Sequence, residues 1–307
     1  MIHNKTLTPK ESLAANGKTF DWARRFLGVQ MGENATRLYA FCRLLDDMAD
    51  DGIPDGPARL SRIHNDLQCS GHGDDPAFAS FKPFMLKMGF STVVLSALID
   101  GLMQDQVDEV CLASEADLLR YAYRVAGTVG LLMCEVLECQ DINAKAFAID
   151  LGIGMQLTNI ARDVLEDAQM GRRYIPGDWV ENLSPANICV AANAPHSKNA
   201  LNIKESINRI LSLADKFYQS GAHGYSYLPW RAHLGIAIAA RVYQQIGRQI
   251  IASGLTWHQG RQVTSKFTKL CCSLDASRSL LSRFYLSNDK DHDTSLHVSL
   301  QGLPDVK

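Results

Sequence analysis

The chain has 307 residues, of which 46% are hydrophobic, and its 31 Lys and Arg residues against 33 Asp and Glu residues give a formal net charge of −2. This length fits one large domain or two ordinary ones, and the apolar fraction is sufficient for a sizeable core. Nucleic-acid-binding domains usually carry a strong excess of Lys and Arg, so the balanced charge excludes nucleic acid as an expected partner.

The cysteines and the N-terminal residues indicate the cellular compartment. Eight cysteines without a CxxC spacing are too sparse for a disulfide scaffold, so we expect reduced thiols. The N-terminus lacks the apolar region of a signal peptide, and the longest apolar stretch, residues 88–99, is too short to cross a membrane. We therefore expect a cytoplasmic protein, at most one that rests peripherally against a membrane.

Helical periodicity dominates the first part of the chain. Between residues 38 and 49 the apolar side chains recur on one helix face, and the sequence GIPDGP at 52–57 ends this helix because Gly and Pro favour turns. A second helix is predicted from 57 to 69, with a loop at 71–76. No sustained alternation of apolar and polar residues indicates a strand, so the expected fold class is all-α.

The rest of the chain is also predicted to be mainly helical. Helices are expected at 80–110, 116–138, 144–170, 203–223, 230–252 and, more briefly, 257–285. A loop at 174–178 and a segment rich in Asn, Ala, Ser and Pro at 182–202 separate them. Residues 288–307 lack periodicity and are predicted to be a loose tail. The simplest organisation is an N-terminal segment (1–17) followed by a single helical domain (18–287).

Two acidic clusters lie on predicted helices. In LLDDMADD, Asp46 and Asp50 are four residues apart and share a helix face, with Asp47 and Asp51 one step around the helix. In NIARDVLED, the same spacing relates three oxygen-bearing side chains, those of Asn159, Asp163 and Asp167. Like charges at this spacing weaken a helix, so both clusters call for a compensating cation.

Each acidic cluster continues an apolar stripe of its own helix. Leu38 and Cys42 precede the first cluster on nearly the same face, and Leu151 and Met155 precede the second. Two such helices packed against each other would enclose a cavity with an apolar interior and an acidic mouth.

The donor set favours Mg²⁺ and a phosphorylated substrate. Oxygen ligands without nearby His or Cys suit a hard cation, and Mg²⁺ usually keeps positions open for phosphate oxygens. Arginines accompany both clusters: Arg43 precedes the first, Arg162 abuts Asp163, and Arg172 and Arg173 follow the second. Guanidinium groups can bind diphosphate oxygens in a bidentate manner.

Simpler interpretations of the clusters remain open. The first could be a solvated acidic surface at a helix end, and the second an exposed helix in which Arg162 pairs with Glu166. Two clusters in one helical chain, each continuing an apolar stripe and each beside arginines, favour a paired metal site.

Three longer motifs carry a family resemblance. YAFCRLLDDMAD (39–50), YAYRVAGTVG (121–130) and QLTNIARDVLEDAQMGRRYIP (156–176) resemble those of the head-to-head prenyl synthases, which make phytoene, dehydrosqualene and squalene. The resemblance covers roughly residues 18–270, and the ending GRRYIP is more similar to the phytoene-forming members. It implies an all-α isoprenoid-synthase fold in which two aspartate-rich motifs face each other across a cavity and hold prenyl diphosphates with Mg²⁺, or Mn²⁺ as an alternative.

The resemblance also implies roles for individual residues. The implied metal ligands are Asp46, Asp50, Asn159, Asp163 and Asp167, and the implied catalytic residues are the four aspartates among them together with Tyr121. The implied substrate-binding residues are Phe20 at the entrance, Arg43, Arg162 and Arg173 at the diphosphates, Val125, Ala126 and Gly130 along the prenyl chain, and Asn159 with the weaker candidates Asp47, Gln156 and Glu166. Phe20 and Tyr121 could instead be core aromatics, and Gly127 and Gly130 could serve close helix packing.

The C-terminal part of the resemblance departs from the family pattern. Where the family carries a tyrosine, the stretch ASGLTW (252–257) has Leu255, with Trp257 as a possible replacement. The basic residues Arg261 and Lys269 beyond it align poorly. These departures leave the C-terminal wall of the expected site unassigned.

The leading functional expectation is the condensation of two geranylgeranyl diphosphates to phytoene through a cyclopropyl diphosphate, the first step of carotenoid synthesis. No NADPH is expected, because no dinucleotide fingerprint follows a strand. Two alternatives stay open: the use of two farnesyl diphosphates to form presqualene diphosphate, dehydrosqualene or squalene, and a catalytically silent homologue that acts as an assembly subunit. The sequence leaves the oligomeric state undetermined.

Overall fold

The structure, a computed structural model, describes residues 10–11, 13, 17–50, 52–68, 75–139, 141–281 and 291–306; Asp51 and Cys69 lie outside these ranges. The all-α prediction is confirmed, since helices make up nearly all the regular structure of the described ranges. No helix within them is both long and apolar enough to cross a lipid bilayer. The α-helices are α1 (Lys18–Arg24), α2 (Val29–Ala49), α3 (Gly56–Gln68), α4 (Pro76–Met88), α5 (Thr92–Met103), α6 (Glu115–Ala122), α7 (Thr128–Val136), α8 (Ala144–Arg162), α9 (Val164–Gln169), α10 (Pro185–Ala192), α11 (Lys198–His223), α12 (Trp230–Ala252) and α13 (Lys266–Ser277).

Short elements of other types lie between the helices. Strands β1 (Val110–Cys111) and β2 (Arg172–Arg173) form a parallel pair. A π-helix, Tyr123–Gly127, joins α6 to α7, and π-helical turns occur frequently at functional sites. The 3₁₀ helices are Gln104–Gln106, Gly177–Trp179, Gly224–Tyr227 and Thr294–Leu300.

Helix α2 carries the first acidic cluster and buries the apolar stripe predicted for residues 38–49. Leu45 and Met48 are fully buried, and the Phe41 ring stacks on Phe81 with ring centroids 3.6 Å apart. The turn after α2 is tight, because a Cβ atom on Gly56 would lie 2.4 Å from the carbonyl oxygen of Met48. These buried side chains hold α2 against the core, and the acidic C-terminal end of the helix lies at the edge of the core.

Helix α8 lies at the centre of the bundle and packs against α7, α11 and α12. Ile149, Ile153 and Leu157 are fully buried on it. The approach of α7 requires glycine: a Cβ atom on Gly130 would lie 2.2 Å from the carbonyl oxygen of Ala148. This packing fixes the position of the second acidic cluster, which lies at the C-terminal end of α8.

Several segments differ from the sequence-based expectation. The single helix expected over 80–110 is divided into α4 and α5, because Gly89 ends α4 in a left-handed conformation and Ser91 caps α5.

Two further segments lie nearer the C-terminus. The separating segment at 182–202 contains α10 and the start of α11, because Ser184 and Ser197 cap the two helices through their hydroxyl oxygens. These polar residues are helix caps, so the segment expected to separate two helices is itself largely helical. The helix expected over 257–285 is regular only along α13, which begins after its cap residue Ser265.

The C-terminal segment, defined as residues 291–306, is packed against the bundle. His297 and Leu300 are buried, and Arg120 of α6 donates hydrogen bonds to the carbonyl oxygens of Ser299 and Gln301. The expectation of a loose tail was therefore wrong for these residues. Periodicity did not reveal the segment because a short 3₁₀ helix held by tertiary contacts has no amphipathic repeat.

Candidate active site

A cavity of about 410 Å³ runs between α1, α2, α7, α8 and α12. Its deep part is apolar, and its lining residues on α8 extend from Ala144 to Asn159. Ala144 and Asn159 are fifteen positions apart, which corresponds to about 22 Å of helix. The sequence-predicted residues that line the cavity are Phe20, Arg43, Asp46, Tyr121, Val125, Ala126, Gly130, Gln156 and Asn159.

The first acidic cluster lies at the mouth of this cavity. Arg43 pairs with both Asp46 and Asp47 at 2.5 Å, through its two terminal nitrogens. Asp50, one turn further along, pairs at 2.7 Å with Arg172, which follows the second cluster. The first cluster is thus held by one arginine of its own helix and by one from the opposite side of the mouth.

The second acidic cluster spans the junction of α8 and α9. Arg162 donates to both carboxylate oxygens of Asp163, at 2.7 Å from Nε and 2.5 Å from Nη2. Arg261, from the irregular segment before α13, contacts the same carboxylate at 3.0 and 3.1 Å. The backbone N–H of Asp163 donates to Asn159 and that of Asp167 to Asp163, so the three predicted ligands keep their helical spacing across the junction.

The two clusters lie on either side of Arg172 and Asp105. Arg172 pairs with Asp50 and also acts on Asp167. The charge of Asp105 acts on both Asp46 and Asp167. Burial, followed by repulsion from Asp50 and other carboxylates, raises the pKa of Asp46 to about 6 although Arg43 opposes the shift. Burial and the charge of Asp163 raise the pKa of Asp167 to about 8. The pKa values of Asp46 and Asp167 are thus raised despite the arginines at the mouth, so a bound cation would stabilise the charged forms of both carboxylates.

A buried carboxylate that sequence reasoning missed lies beside the mouth. Asp105 accepts hydrogen bonds from the hydroxyl groups of Tyr121 and Tyr174, both at 2.7 Å. The two tyrosine rings stack with centroids 4.6 Å apart. Burial raises the pKa of Asp105, the tyrosine hydrogen bonds and Arg172 oppose the shift, and Asp50 adds to it. Tyr121 is therefore a cavity residue whose hydroxyl is oriented by a carboxylate.

One sequence-predicted residue does not reach the site. Arg173 is buried, and its Nη1 atom donates to the carbonyl oxygens of Leu112 and Ile175. Its neighbour Arg172 faces the acidic mouth instead, because adjacent residues of strand β2 point to opposite sides. The structure does not support the substrate-binding role implied for Arg173, whose side chain binds backbone carbonyl oxygens. Arg172 contacts the acidic mouth instead.

The C-terminal wall contributes one contact to the acidic mouth that the sequence left unassigned. Arg261, set aside for poor alignment, contacts Asp163, whereas Lys269 donates to the backbone carbonyl of Lys18 and has a structural position. Leu255 has a positive φ of 57° and packs at the edge of the core, and Trp257 is buried. Neither belongs to the cavity lining.

Two tyrosines of the cavity wall were also missed. Tyr39 and Tyr243 line the cavity, and the Phe20 ring lies between them with centroids 6.1 and 5.6 Å away. Phe20 is therefore a cavity residue as well as a packing residue. A single tyrosine outside an acidic motif gives no sequence signal, since tyrosines are common in cores.

The residues at the mouth fit a divalent cation with oxygen ligands. Asp46, Asp50, Asp163 and Asp167 supply carboxylates, and the pKa values of Asp46 and Asp167 are raised although Arg43 and Arg172 oppose the two shifts. The buried Oε2 atom of Glu166 also has no hydrogen-bond partner among the described residues. An all-oxygen donor set of this kind suits Mg²⁺ or Mn²⁺.

An all-α bundle with a deep apolar cavity, and with two acidic clusters and arginines at its mouth, fits a prenyltransferase, and the comparisons with known proteins assign the chain to that class. The chain belongs to the squalene/phytoene synthase family, whose model matches residues 13–268. It is 33% identical to the 15-cis-phytoene synthase of Paracoccus sp. (strain N81106 / MBIC 01143) over 275 residues, which cover 86% of this chain and 88% of that protein. It is 31% identical to the phytoene synthase of Pseudescherichia vulneris over 281 residues, 87% of this chain and 89% of the relative.

The fold also matches solved structures. A dehydrosqualene synthase crystallised with a ligand superposes with a TM-score of 0.77 at 23% identity, covering 89% of this chain and 95% of that one. The squalene synthase HpnC of Alicyclobacillus acidocaldarius superposes with a TM-score of 0.68 at 21% identity, covering 80% and 93%. The expected isoprenoid-synthase fold is confirmed.

Proposed function

We propose that this protein condenses two geranylgeranyl diphosphates head to head into 15-cis-phytoene, through a cyclopropyl diphosphate and with Mg²⁺. The single observation that carries the proposal is the deep apolar cavity that ends between two acidic clusters. This arrangement matches a substrate with a long hydrocarbon chain and a diphosphate head. The choice of product is supported by the two relatives named above, which are phytoene synthases and which this chain matches over most of their length.

In this proposal the residues of the mouth hold the diphosphates. Asp46, Asp50, Asp163 and Asp167 would bind Mg²⁺ together with Asn159. When bound, Mg²⁺ supplies positive charge that stabilises the diphosphate as a leaving group.

The arginines of the mouth have a second task in the same proposal. Arg43, Arg162, Arg172 and Arg261 now pair with carboxylates of the two clusters. Once a cation occupies those carboxylates, the guanidinium groups are free to bind diphosphate oxygens, for which their geometry is suited.

The reaction needs an environment that protects a carbocation. Breaking the C1–O bond of the first substrate leaves an allylic cation, and the electrons of a double bond of the second substrate form the new carbon–carbon bond. Loss of a proton closes the cyclopropane ring, and a second loss of diphosphate, rearrangement and deprotonation give phytoene. The apolar walls at Val125, Ala126 and Met155 exclude water from these intermediates.

Tyr121 is the protein group best placed to influence the proton steps. Its hydroxyl lines the cavity and donates its hydrogen to Asp105, so a lone pair of its oxygen is available to orient or accept a proton. Burial, the largest cause, and the neighbouring Tyr174 and Asp105 keep the pKa of Tyr121 well above its ordinary value. The hydroxyl therefore stays protonated at neutral pH, and the released diphosphate is the stronger base.

Product analysis tests the proposal. Purified protein is incubated with Mg²⁺ and either geranylgeranyl or farnesyl diphosphate, with and without NADPH, and the hydrocarbons are identified by mass spectrometry. We expect phytoene from geranylgeranyl diphosphate without any requirement for NADPH. A C30 product alone would refute the phytoene assignment, and no product from either substrate would favour the silent assembly subunit.

We also propose peripheral membrane contact during product release. Helix α13 presents an exposed apolar stripe of Phe267, Leu270 and Leu274, which are 74%, 48% and 64% exposed. The helix is joined to α1, a wall of the cavity, by hydrogen bonds from Trp22 to Ser273 and from Lys269 to Lys18. An apolar stripe beside a hydrocarbon-binding cavity is suited to the interface of a bilayer.

Vesicle sedimentation tests the membrane proposal. We expect the protein to sediment with phosphatidylglycerol vesicles, and the double variant Phe267→Ser, Leu274→Ser to lose most of this binding. The exposed residue pair Val190→Ser, Leu201→Ser, which lies on α10 and α11, serves as the matched control. Equal sedimentation of the two double variants would contradict the proposal.

A further inference from the structure

A second group of metal-ligand side chains lies on the far side of the bundle from the acidic mouth. The carboxylate of Asp150 accepts hydrogen bonds from His297 Nε2 at 2.7 Å on one oxygen and from His292 Nε2 at 2.8 Å on the other. Ser220 of α11 donates to the second oxygen at 2.5 Å. The ligand atoms of Asp150, His292 and His297 all lie within 4.8 Å of one another.

This group is separate from the site already described. Asp150 precedes Asp163 by thirteen residues along α8, which corresponds to about 20 Å of helix. None of Asp150, His292 and His297 lines the cavity, although Phe147, one turn before Asp150, lies between the cavity and the His292 ring. The group therefore has no part in holding diphosphates.

The group is preorganised and nearly closed to solvent. The side chains of Asp150 and His297 are 0% and 1% exposed, and that of His292 is 12% exposed. Burial would raise the pKa of Asp150, but the hydrogen bonds from His292, His297 and Ser220 outweigh it and lower that pKa. A carboxylate that is ionised and faces two imidazole nitrogens presents the ligand types that Zn²⁺ prefers.

We propose that Asp150, His292 and His297 form a structural binding site for one Zn²⁺ ion. The two histidines are separated by four residues, which lies within the spacing found between histidine ligands of zinc sites. Zn²⁺ with bonds of about 2.0 to 2.1 Å in tetrahedral geometry separates its ligand atoms by roughly 3.3 Å. The present nitrogen–oxygen distances therefore need to open by roughly half an ångström, with a water or the Ser220 hydroxyl as fourth ligand. Each Nε2 atom must also give up the hydrogen that it now donates to Asp150, so that each imidazole keeps a single proton on Nδ1.

Metal binding at this site would fasten the C-terminal segment to the bundle. Asp150 belongs to α8 and Ser220 to α11, while both histidines belong to residues 291–306. The same segment is held by Tyr123, whose hydroxyl donates to the Pro304 carbonyl, and by Lys145, which pairs with Asp305 at 3.1 Å. Because Tyr123 begins the π-helix that carries cavity residues, a fastened segment also supports that wall of the cavity.

Spectroscopy of the full-length protein with Co²⁺ in place of Zn²⁺ tests the proposal. Excess Mg²⁺ is present to fill the oxygen ligands of the mouth, where Co²⁺ would give only a weak octahedral spectrum. We expect one Co²⁺ per chain with intense tetrahedral d–d absorption, displaced by one equivalent of Zn²⁺. The variant His292→Gln, at the most exposed of the three ligands, should weaken Zn²⁺ binding at least about 100-fold, and Zn²⁺ should no longer raise its melting temperature.

A matched control removes a histidine outside the group. His196 is exposed in the turn before α11, and His196→Gln should bind Zn²⁺ as the wild type does. Retained helical circular dichroism of His292→Gln excludes misfolding as the cause of its loss. An absent tetrahedral spectrum, or one unchanged in His292→Gln, would overturn the proposal and leave the group as a hydrogen-bonded clasp.

Discussion

Two aspartates at the mouth of the cavity, Asp46 and Asp167, destabilise the folded protein when no metal is bound, although both belong to the proposed metal site. Asp46 and Asp167 have pKa values of about 6 and about 8, above their ordinary value, because burial and neighbouring carboxylates disfavour their charged forms. A carboxyl group whose pKa is raised on folding binds its proton more tightly in the folded state. Its destabilising contribution therefore grows as the pH rises from about 4 to the folded-state pKa.

The first prediction concerns the pH dependence of stability without metal. In a chelator, the wild-type melting temperature should fall between pH 6 and pH 8, because folded Asp167 still holds its proton in this window whereas the unfolded chain has already released it. Asp167→Asn should reduce that fall, whereas Asp215→Asn, at an exposed residue of α11, should not. Mg²⁺ should stabilise the wild type more at pH 8 than at pH 6, since protons compete with the metal. Identical pH profiles for the two variants would contradict this explanation.

The second prediction concerns turnover. Asp46→Ala and Asp163→Ala should each lower turnover of geranylgeranyl diphosphate by at least about 100- to 1,000-fold, because each removes a charge that positions the leaving group. Both variants should keep the helical circular-dichroism signal, since each side chain lies at the end of its helix. Asp215→Asn again provides the control. Turnover retained by either Ala variant would refute its assignment as a ligand.

At the scale of elements, the contacts of α8 with α7 and with the π-helix before α7 depend on glycine. Cβ atoms at Gly130 and Gly152 would lie 2.2 and 2.3 Å from the carbonyl oxygens of Ala148 and Ala126. Backbone atoms cannot move aside as a flexible side chain can. Both glycines are therefore required by helix packing, and the resulting close approach places Gly130 in the cavity wall as well.

The third prediction tests this contact. Gly130→Ala should destabilise the protein by about 1 to 3 kcal/mol, the usual cost of overpacking, as measured by chemical unfolding. Gly32→Ala in α2 is the matched control, because its Cβ atom would meet its neighbours at 3.4 Å, an ordinary contact distance. The control should be neutral or slightly stabilising. Equal losses at the two positions would show that helical glycine itself, rather than the α7 contact, decides the effect.

The elements also show how far the sequence can predict this site. The spacing of Asp46 and Asp50, and the apolar stripe before them, were sufficient to place the first cluster at the mouth of a cavity. Asp105 could not be found in this way, because the sequence places it in a helix over 80–110, whereas its partners Tyr121 and Tyr174 are distant along the chain. The choice between Arg172 and Arg173 depends on a two-residue strand pairing, which leaves no periodic signal.

At the scale of the whole molecule, the packing of the helices sets the depth of the cavity, and we expect this depth to limit the length of the prenyl chain that fits. The lining on α8 begins at the buried Ala144, near the deep end, and reaches Asn159 at the mouth. The helix is held in place by its packing against α7, α11 and α12. The depth of the cavity is therefore a property of the bundle, and a single larger side chain at its deep end should change it.

The fourth prediction follows from this depth. Ala144→Leu should lower kcat/KM for geranylgeranyl diphosphate relative to farnesyl diphosphate by at least about tenfold, since even one added methylene in an apolar pocket has effects of this size. Ala146→Leu, on the same helix but outside the cavity lining, should leave the ratio unchanged. An unchanged ratio in Ala144→Leu would show that the prenyl chain does not reach this end of the cavity.

The central claim is that the two acidic clusters hold the diphosphates while the prenyl chain fills the cavity. The most direct measurement is a crystal structure with Mn²⁺ and an unreactive thio-diphosphate analogue of geranylgeranyl diphosphate, with the metal located by anomalous scattering. We expect manganese between Asp46 and Asp163 at the mouth, and the hydrocarbon chain extending along α8 towards Ala144. A diphosphate bound elsewhere, or a chain lying outside the cavity, would contradict the claim.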